Sequence, residues 1–125
     1  MKTKLTFLLA LTFLFLFSGS SVVFADDLQD AKDAIERKDY KEAYRLILPL
    51  AEQGNAKAQY NLGVMYAKGR GFPQDYILAH MWLNLSGANG YKRGIKLRNL
   101  AEKKMTASQI EKARELARNW KPTSK

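Results

Sequence analysis

The feature that most constrains the fold of this chain is an internal repeat. The segment 39–55, DYKEAYRLILPLAEQGN, is similar to the segment 75–91, DYILAHMWLNLSGANGY, at an offset of 36 residues (39 to 75). A period in the mid-thirties that is built from helical segments is typical of helix pairs stacked into a solenoid. The sequence therefore predicts an all-α fold, an α/α solenoid of about two helical hairpins followed by a C-terminal capping helix.

Local signals predict six helices after residue 25. Asp39 and Thr106 are good N-caps, and Gln109 lies three residues after Thr106, as in a capping box. Pro49 lies inside the second helix and is expected to kink or shorten it. The predicted ranges are about 27–38, 39–54, 55–68, 75–88, 91–104 and 106–120.

The first 25 residues have the layout of a secretory signal peptide. Lys2 and Lys4 precede an apolar run, Leu5 to Phe17, and small residues lead to Ala25, where cleavage is expected. This run of 13 residues is about 20 Å long as a helix, against a hydrocarbon core of about 30 Å. The prediction is a periplasmic or secreted protein, and an uncleaved anchor over residues 5–25 is the alternative. Residues 26–125 are then one domain: a partial repeat over 27–54, a full repeat over 55–90 and a cap over 91–120.

Composition excludes several classes of site. The chain has no cysteine and one histidine, which excludes disulfides, a lipid carried on cysteine, and thiolate or multi-histidine metal sites. Residues 76–125 carry eleven basic and three acidic side chains. This excess predicts either ordinary solvated helix faces or attraction to an anionic lipid or wall polymer. Nucleic acid is not expected as the partner of an exported protein.

The glycine-rich segment YAKGRGFPQDY, residues 66–76, has two competing interpretations. A phosphate-binding loop needs a preceding strand and a Lys-Ser or Lys-Thr pair, and the sequence has neither. A corner between two helices explains the residues better. Gly69 and Gly71 supply the turn, Pro73 blocks continuation of the helix, and Asp75 caps the next one. The corner is therefore the prediction.

The segment 56–90, AKAQYNLGVMYAKGRGFPQDYILAHMWLNLSGANG, resembles a Sel1-like repeat, a relative of the tetratricopeptide repeat. The preceding partial repeat departs from the pattern, because it has no Leu-Gly pair and no Gly-x-Gly corner. The positions that match are expected to pack the helices: Ala56, Ala58, Leu62, Gly63, Tyr66, Gly69, Gly71, Asp75, Tyr76, Ala79 and Trp82.

The resemblance implies a non-enzymatic adaptor without cofactor, which holds a protein or peptide on the concave face formed by the first helix of each pair. It also implies that a lysine and an asparagine one turn apart, such as Lys57 and Asn61, clamp a peptide carboxylate. A solvated surface is the alternative interpretation. The candidate partner-binding residues are Lys57, Tyr60, Asn61, Val64 and Lys68 on the third helix, and Lys92 and Lys96 on the fifth.

Two further expectations concern catalysis and assembly. His80 has no acid or nucleophile placed beside it by the sequence, and it is expected at a helix surface or edge without a catalytic role. Repeat arrays generally need about three units to be stable. A chain with about two repeats and a cap is therefore expected to be a monomer closed at both ends, or a weak dimer.

Overall fold

A computed structural model describes residues 27–123, and within this range the chain forms six helices and no strand. The all-α prediction is therefore confirmed, whereas the predicted signal peptide lies outside the described residues. No helix in residues 27–123 is both long and apolar enough to cross a membrane. The helices are α1 (27–36), α2 (Tyr40–Glu52), α3 (Ala56–Lys68), α4 (Tyr76–Ala88), α5 (Lys92–Glu102) and α6 (Ala107–Asn119).

Side-chain caps fix where most of these helices begin. The carboxylates of Asp39 and Asp75 accept hydrogen bonds from backbone N–H groups three residues later, at 3.3 and 3.0 Å. At α6, the Gln109 N–H donates to the Thr106 hydroxyl, and the Thr106 N–H donates to the Gln109 side chain. Both halves of the predicted capping box are thus present, and the cap satisfies donors that have no partner inside a helix.

Pro49 does not end α2, which continues to Glu52. The proline lies in the last turn, where only the Arg45 carbonyl loses its intrahelical donor. The Pro49 carbonyl itself accepts from the Gln53 N–H at 3.1 Å, so the last turn is hydrogen-bonded in the usual way. The prediction that this residue shortens the helix is therefore wrong, whereas the alternative prediction of a kink stays a prediction.

The segment between α3 and α4 is a helix corner. Gly69 has a left-handed conformation with φ +65°, and its N–H donates to carbonyls of the last turn of α3. The Arg70 N–H donates to the Met65 carbonyl at 2.9 Å, and the Asp75 N–H donates to the Tyr66 carbonyl at 3.0 Å. These backbone donors are used to close α3, so they are not free to hold a phosphate. The predicted corner is confirmed.

Helix α4 lies at the centre of the fold and packs against α3, α5 and α6. Its approach to α3 depends on Gly63, because a Cβ atom there would lie 2.7 Å from the Leu83 side chain and 3.2 Å from the Ala79 carbonyl oxygen. The repeat positions Ala58, Leu62 and Ala79 are fully buried. This burial is what a packing role for these positions requires.

The C-terminal segment closes the array against the repeats. The indole rings of Trp82 on α4 and Trp120 after α6 meet edge to face, with centroids 6.2 Å apart. Beyond them, the Thr123 N–H donates to the Glu52 carbonyl at the end of α2, at 2.8 Å. The cap is thus held at two places that are distant in sequence.

Candidate interaction site between α3 and α5

Helices α3 and α5 border a groove of about 250 Å³ whose floor is formed by α4. We call it the α3–α5 groove. Aliphatic and small side chains and Tyr76 form its floor and walls, and two exposed lysines border it, Lys68 at the end of α3 and Lys104 in the turn after α5. The lining residues are Val64, Ala67, Lys68, Tyr76, Leu83, Leu97, Leu100, Ala101 and Lys104.

A glycine sets the position of α5 against α4. Gly94 is buried, and a Cβ atom there would lie 2.6 Å from the Leu83 carbonyl oxygen and 2.9 Å from the Gly87 nitrogen. At the other border, the rings of Tyr60 and Tyr91 meet edge to face with centroids 5.0 Å apart. The beginning of α5 is therefore held against α3, while Lys68 and Lys104 flank the groove near the ends of the two helices.

Buried polar contacts hold α3 in place. The Gln59 side chain is fully buried, donates to the Ala51 carbonyl at 3.1 Å and accepts from the Asn89 amide at 2.9 Å. The Ser86 hydroxyl donates to the Ala56 carbonyl at 2.7 Å. Because buried polar groups are costly to leave unpaired, these bonds fix the register of α3 against its neighbours. The border of the groove is thus a preformed surface.

His80 lies under the cap and not at a helix surface, so the sequence-based expectation for it is wrong. The side chain is fully buried, and its Nε2 lies 2.8 Å from Glu102 Oε1 on α5. Arg114 on α6 donates to the same oxygen at 3.3 Å. The hydrogen bond with His80 lowers the pKa of Glu102 against the opposing effect of burial, and Arg114 adds to the lowering. These three residues join α4, α5 and α6.

The structure places the predicted partner-binding residues at different points along the two helices. Val64 and Lys68 line the groove. Tyr60 is half-buried against Tyr91. The other four lie outside the groove lining. Asn61 is half-buried, and three lysines are exposed: Lys57, Lys92 and Lys96.

The sequence-based candidates did not include the α5 wall of the groove. The residues of this wall follow one another at spacings of three, one and three, which places them on one face of a helical pattern: Leu97, Leu100, Ala101 and Lys104. Leu100 is 55% exposed and Ile95 is 40% exposed, and both large exposed hydrophobic side chains of residues 27–123 lie on α5. The helical spacing of leucines within a lysine-rich segment is the signal that would have identified this wall.

A second cavity, of about 540 Å³, lies beside the glycine corner. Its walls include Tyr44, Tyr66 and Phe72, and the rings of Tyr66 and Phe72 are 4.1 Å apart. Burial raises the pKa of the Tyr66 hydroxyl, and contact with Tyr44 raises it further. Asp75 also lines this cavity, but its carboxylate caps α4. The aromatic contacts join α2, α3 and the corner, so this cavity is mainly a product of packing.

Metal binding finds no support in the part of the chain that the structure describes. No group of three or more histidine, aspartate or glutamate side chains lies close enough together there to hold a metal ion. His80 is fully buried and paired with Glu102. The groove lining contains lysines, a tyrosine and apolar side chains, but no carboxylate, hydroxyl nucleophile or imidazole that forms an acid–base set.

Comparison with known proteins agrees with this architecture. The pattern of the Sel1 repeat matches residues 28–55 and 56–91, which together are more than half of the chain. A comparison with curated proteins gave no match.

A solved structure has the same fold. It is the crystal structure of a protective antigen present in uropathogenic Escherichia coli strains that displays an SLR fold, with a TM-score of 0.73 and 30% sequence identity. The alignment covers 78% of this chain and 22% of that chain, so the present chain spans about a fifth of the longer protein. Sel1 repeats and this fold are typical of non-enzymatic modules for protein–protein interaction. With both repeats matched, the chain belongs to the Sel1 repeat family.

Proposed function

We propose that this protein is an exported, non-enzymatic interaction module that holds a protein or peptide partner in the α3–α5 groove. The observation that carries the proposal is the groove itself, where Leu100 on the α5 wall is 55% exposed beside a floor formed by α4. A concave site lined mainly by apolar side chains, with a few polar groups at its edge, is the usual form of a binding site. The α3 and α5 surfaces are then the concave face of the solenoid.

Site-specific crosslinking in cells tests this function with the full chain. A photoreactive amino acid replaces Lys68 in one variant and Lys112 on the exposed side of α6 in the other. We expect a discrete crosslinked adduct from position 68 and none of the same mass from position 112. Equal adducts from both positions, or none from position 68, would contradict the proposal.

Export rests on the sequence of residues 1–25, and a separate experiment tests it. Alkaline phosphatase, which folds only outside the cytoplasm, is fused after Ala25 and, as a control, after the same segment with Leu8 and Leu9 replaced by arginine. We expect activity only from the unaltered segment, because the apolar run is what the export machinery recognises. Equal activity from both fusions would argue against a signal peptide.

The charge of the C-terminal half favours a second candidate function, attachment to an anionic lipid or wall polymer. Residues 76–125 carry eleven basic and three acidic side chains, and the exposed lysines include Lys92 and Lys96 on α5 and Lys103 directly after it. Sedimentation with phosphatidylglycerol vesicles at low and physiological salt tests it. Attachment that depends on charge alone should be lost steeply as salt rises, whereas binding in an apolar groove should be lost only in part.

A further inference from the structure

We infer that the partner segment held by the α3–α5 groove is acidic and inserts apolar side chains between Val64 and Leu100. This inference rests on the proposed function and specifies the chemistry of the partner at the same site. Three properties of the groove carry it: the distribution of charge around it, the size of its apolar part and the placement of its lysines.

The surface around the groove has almost no negative charge of its own. Residues 56–104 contain nine lysines and arginines but only two acids, Asp75 and Glu102. The Asp75 carboxylate caps α4 through the Leu78 N–H, and the Glu102 carboxylate is paired with His80 and Arg114. None of the groove-lining residues is acidic. Any carboxylate that neutralises the rim lysines must therefore come from the partner.

The apolar part of the groove has the size of side chains and not of a whole small molecule. Its volume is about 250 Å³, below the range of about 300–1,000 Å³ that is usual for small-molecule pockets. Leu83 at the floor is fully buried, whereas Leu100 at the wall is exposed. Covering Leu100 with one or two inserted side chains would remove apolar surface from water, which is the main source of affinity at such a site.

The lysines stand on both borders of the groove. Lys68 comes from the end of α3 and Lys104 from the turn directly after α5, so a segment that lies between them meets a cation on each side. Lys96 lies one turn before Leu100 on α5 and is exposed. A bilayer surface cannot enter between two helices, whereas an extended or helical segment can. Exposed charge pairs contribute little affinity individually, and their main effects are orientation and choice of partner.

Selection from a random peptide library tests the inference and does not require an identified partner. The target is protein purified after expression of the full chain, and the probe is a phage-displayed library of twelve-residue peptides. We expect the enriched peptides to be net negative with at least two large apolar residues. Enrichment of neutral or basic peptides, or no enrichment, would overturn the inference.

Charge reversal then locates the binding of the enriched peptides. The double variant Lys68→Glu and Lys104→Glu changes two attractive pairs into repulsive ones and should weaken binding by about tenfold at constant salt. The matched control, Lys112→Glu with Lys121→Glu, changes net charge equally but lies on α6 and the tail, and should weaken binding by less than about twofold. Peptides with glutamate replaced by lysine should regain affinity for the first variant only. Equal losses in both variants would show non-specific charge attraction and overturn the inference.

The outcomes separate this inference from the proposed function. A discrete crosslink at position 68 together with neutral enriched peptides would leave the interaction module in place and overturn the acidic partner. If neither the crosslink at position 68 nor an enrichment of acidic peptides is observed, the proposed function and this inference are both overturned. Binding to phosphatidylglycerol vesicles that is unchanged by Lys68→Glu with Lys104→Glu, without enrichment of acidic peptides, would favour attachment to lipid instead.

Discussion

Helices α4 and α5 are neighbours of similar length with opposite surfaces. Seven of the thirteen residues of α4 are buried, whereas only Gly94 and Ala101 are buried among the eleven of α5. The side chains of α4 are enclosed by three helices, while α5 is held through a glycine contact and leaves Leu100 and both of its lysines to solvent. This contrast indicates that packing restricts which side chains α4 can carry, whereas most side chains of α5 are free to contact a partner. Substitutions should therefore change stability in α4 and binding in α5.

The largest expected effect is on Trp82 in α4. It is 7% exposed and belongs to the main core cluster. Trp82→Ala should cost about 3–5 kcal/mol of unfolding free energy, because it removes a large buried ring and leaves a cavity. Urea denaturation of the full chain measures this loss. A loss below about 1 kcal/mol would contradict the central role of α4 in packing.

Trp120, at the end of the cap, provides the matched control. It is only half-buried, although its ring meets that of Trp82. Trp120→Ala should therefore cost less than Trp82→Ala. The double variant should show a coupling of about 0.5–1.5 kcal/mol from the edge-to-face pair.

Gly94 is a position where we expect a substitution in α5 to change stability as one in α4 does. Alanine normally stabilises a helix relative to glycine by about 1 kcal/mol. At position 94, however, its Cβ would lie 2.6 Å from the Leu83 carbonyl oxygen, which is backbone and cannot rotate away. Gly94→Ala should thus destabilise the protein by about 1–3 kcal/mol. Gly87→Ala is the comparison, because its Cβ would lie 3.3 Å from the nearest backbone atom, the Ile95 nitrogen, and its closer contact, at 2.4 Å, is with the Ile95 side chain. It should therefore cost less. A stabilising Gly94→Ala would show that α5 is not held closely on α4.

Much of this fold could be predicted because its signals are local. The caps at Asp39, Asp75 and Thr106 need only residues within one turn, and each makes the expected bond. The glycine corner is equally local, since the left-handed conformation of Gly69 ends α3 and does not depend on what the helix packs against. The packing positions followed from the resemblance of residues 56–90 to the Sel1-like repeat.

The parts that sequence reasoning missed depend on contacts between distant residues. The partner of His80 is Glu102, 22 residues later on another helix, and nothing in the local pattern joins them. The signal that could have indicated burial is the segment ILAHMWLNL, which is apolar on nearly every side. The groove was missed for a related reason: its two walls come from α3 and α5, and the repeat pattern does not extend into α5. Val64 and Lys68 were found from one wall alone.

The pair of His80 and Glu102 gives a smaller effect that depends on pH. The pKa of Glu102 is lowered in the folded protein from an ordinary value of 4.5, chiefly by the hydrogen bond with His80. A carboxyl with a lowered pKa in the folded state stabilises the protein above its unfolded pKa, and this contribution is lost as pH falls through the folded pKa. The melting temperature should therefore fall more steeply below about pH 4.5 in the wild type than in Glu102→Gln. Glu115→Gln, an exposed carboxyl on α6, is the control. If the melting temperatures of the wild type and Glu102→Gln fall in parallel with pH, this pair does not make the stability of the protein depend on pH.

The smallest effect on stability is expected at Leu100, where the contrast between α4 and α5 is tested most directly. Leu100→Gln exchanges a side chain that is 55% exposed for one of similar length, so unfolding free energy should change by no more than about 0.5 kcal/mol. The control is Leu83→Ala, at the fully buried floor of the same groove, which should cost about 2–5 kcal/mol. If α5 serves an interaction, Leu100→Gln should nevertheless abolish the crosslink from position 68, since the apolar wall is then lost while the fold remains. A variant that loses stability as Leu83→Ala does would place Leu100 among the packing residues. If Leu100→Gln keeps both its stability and the crosslink from position 68, the partner does not contact this wall.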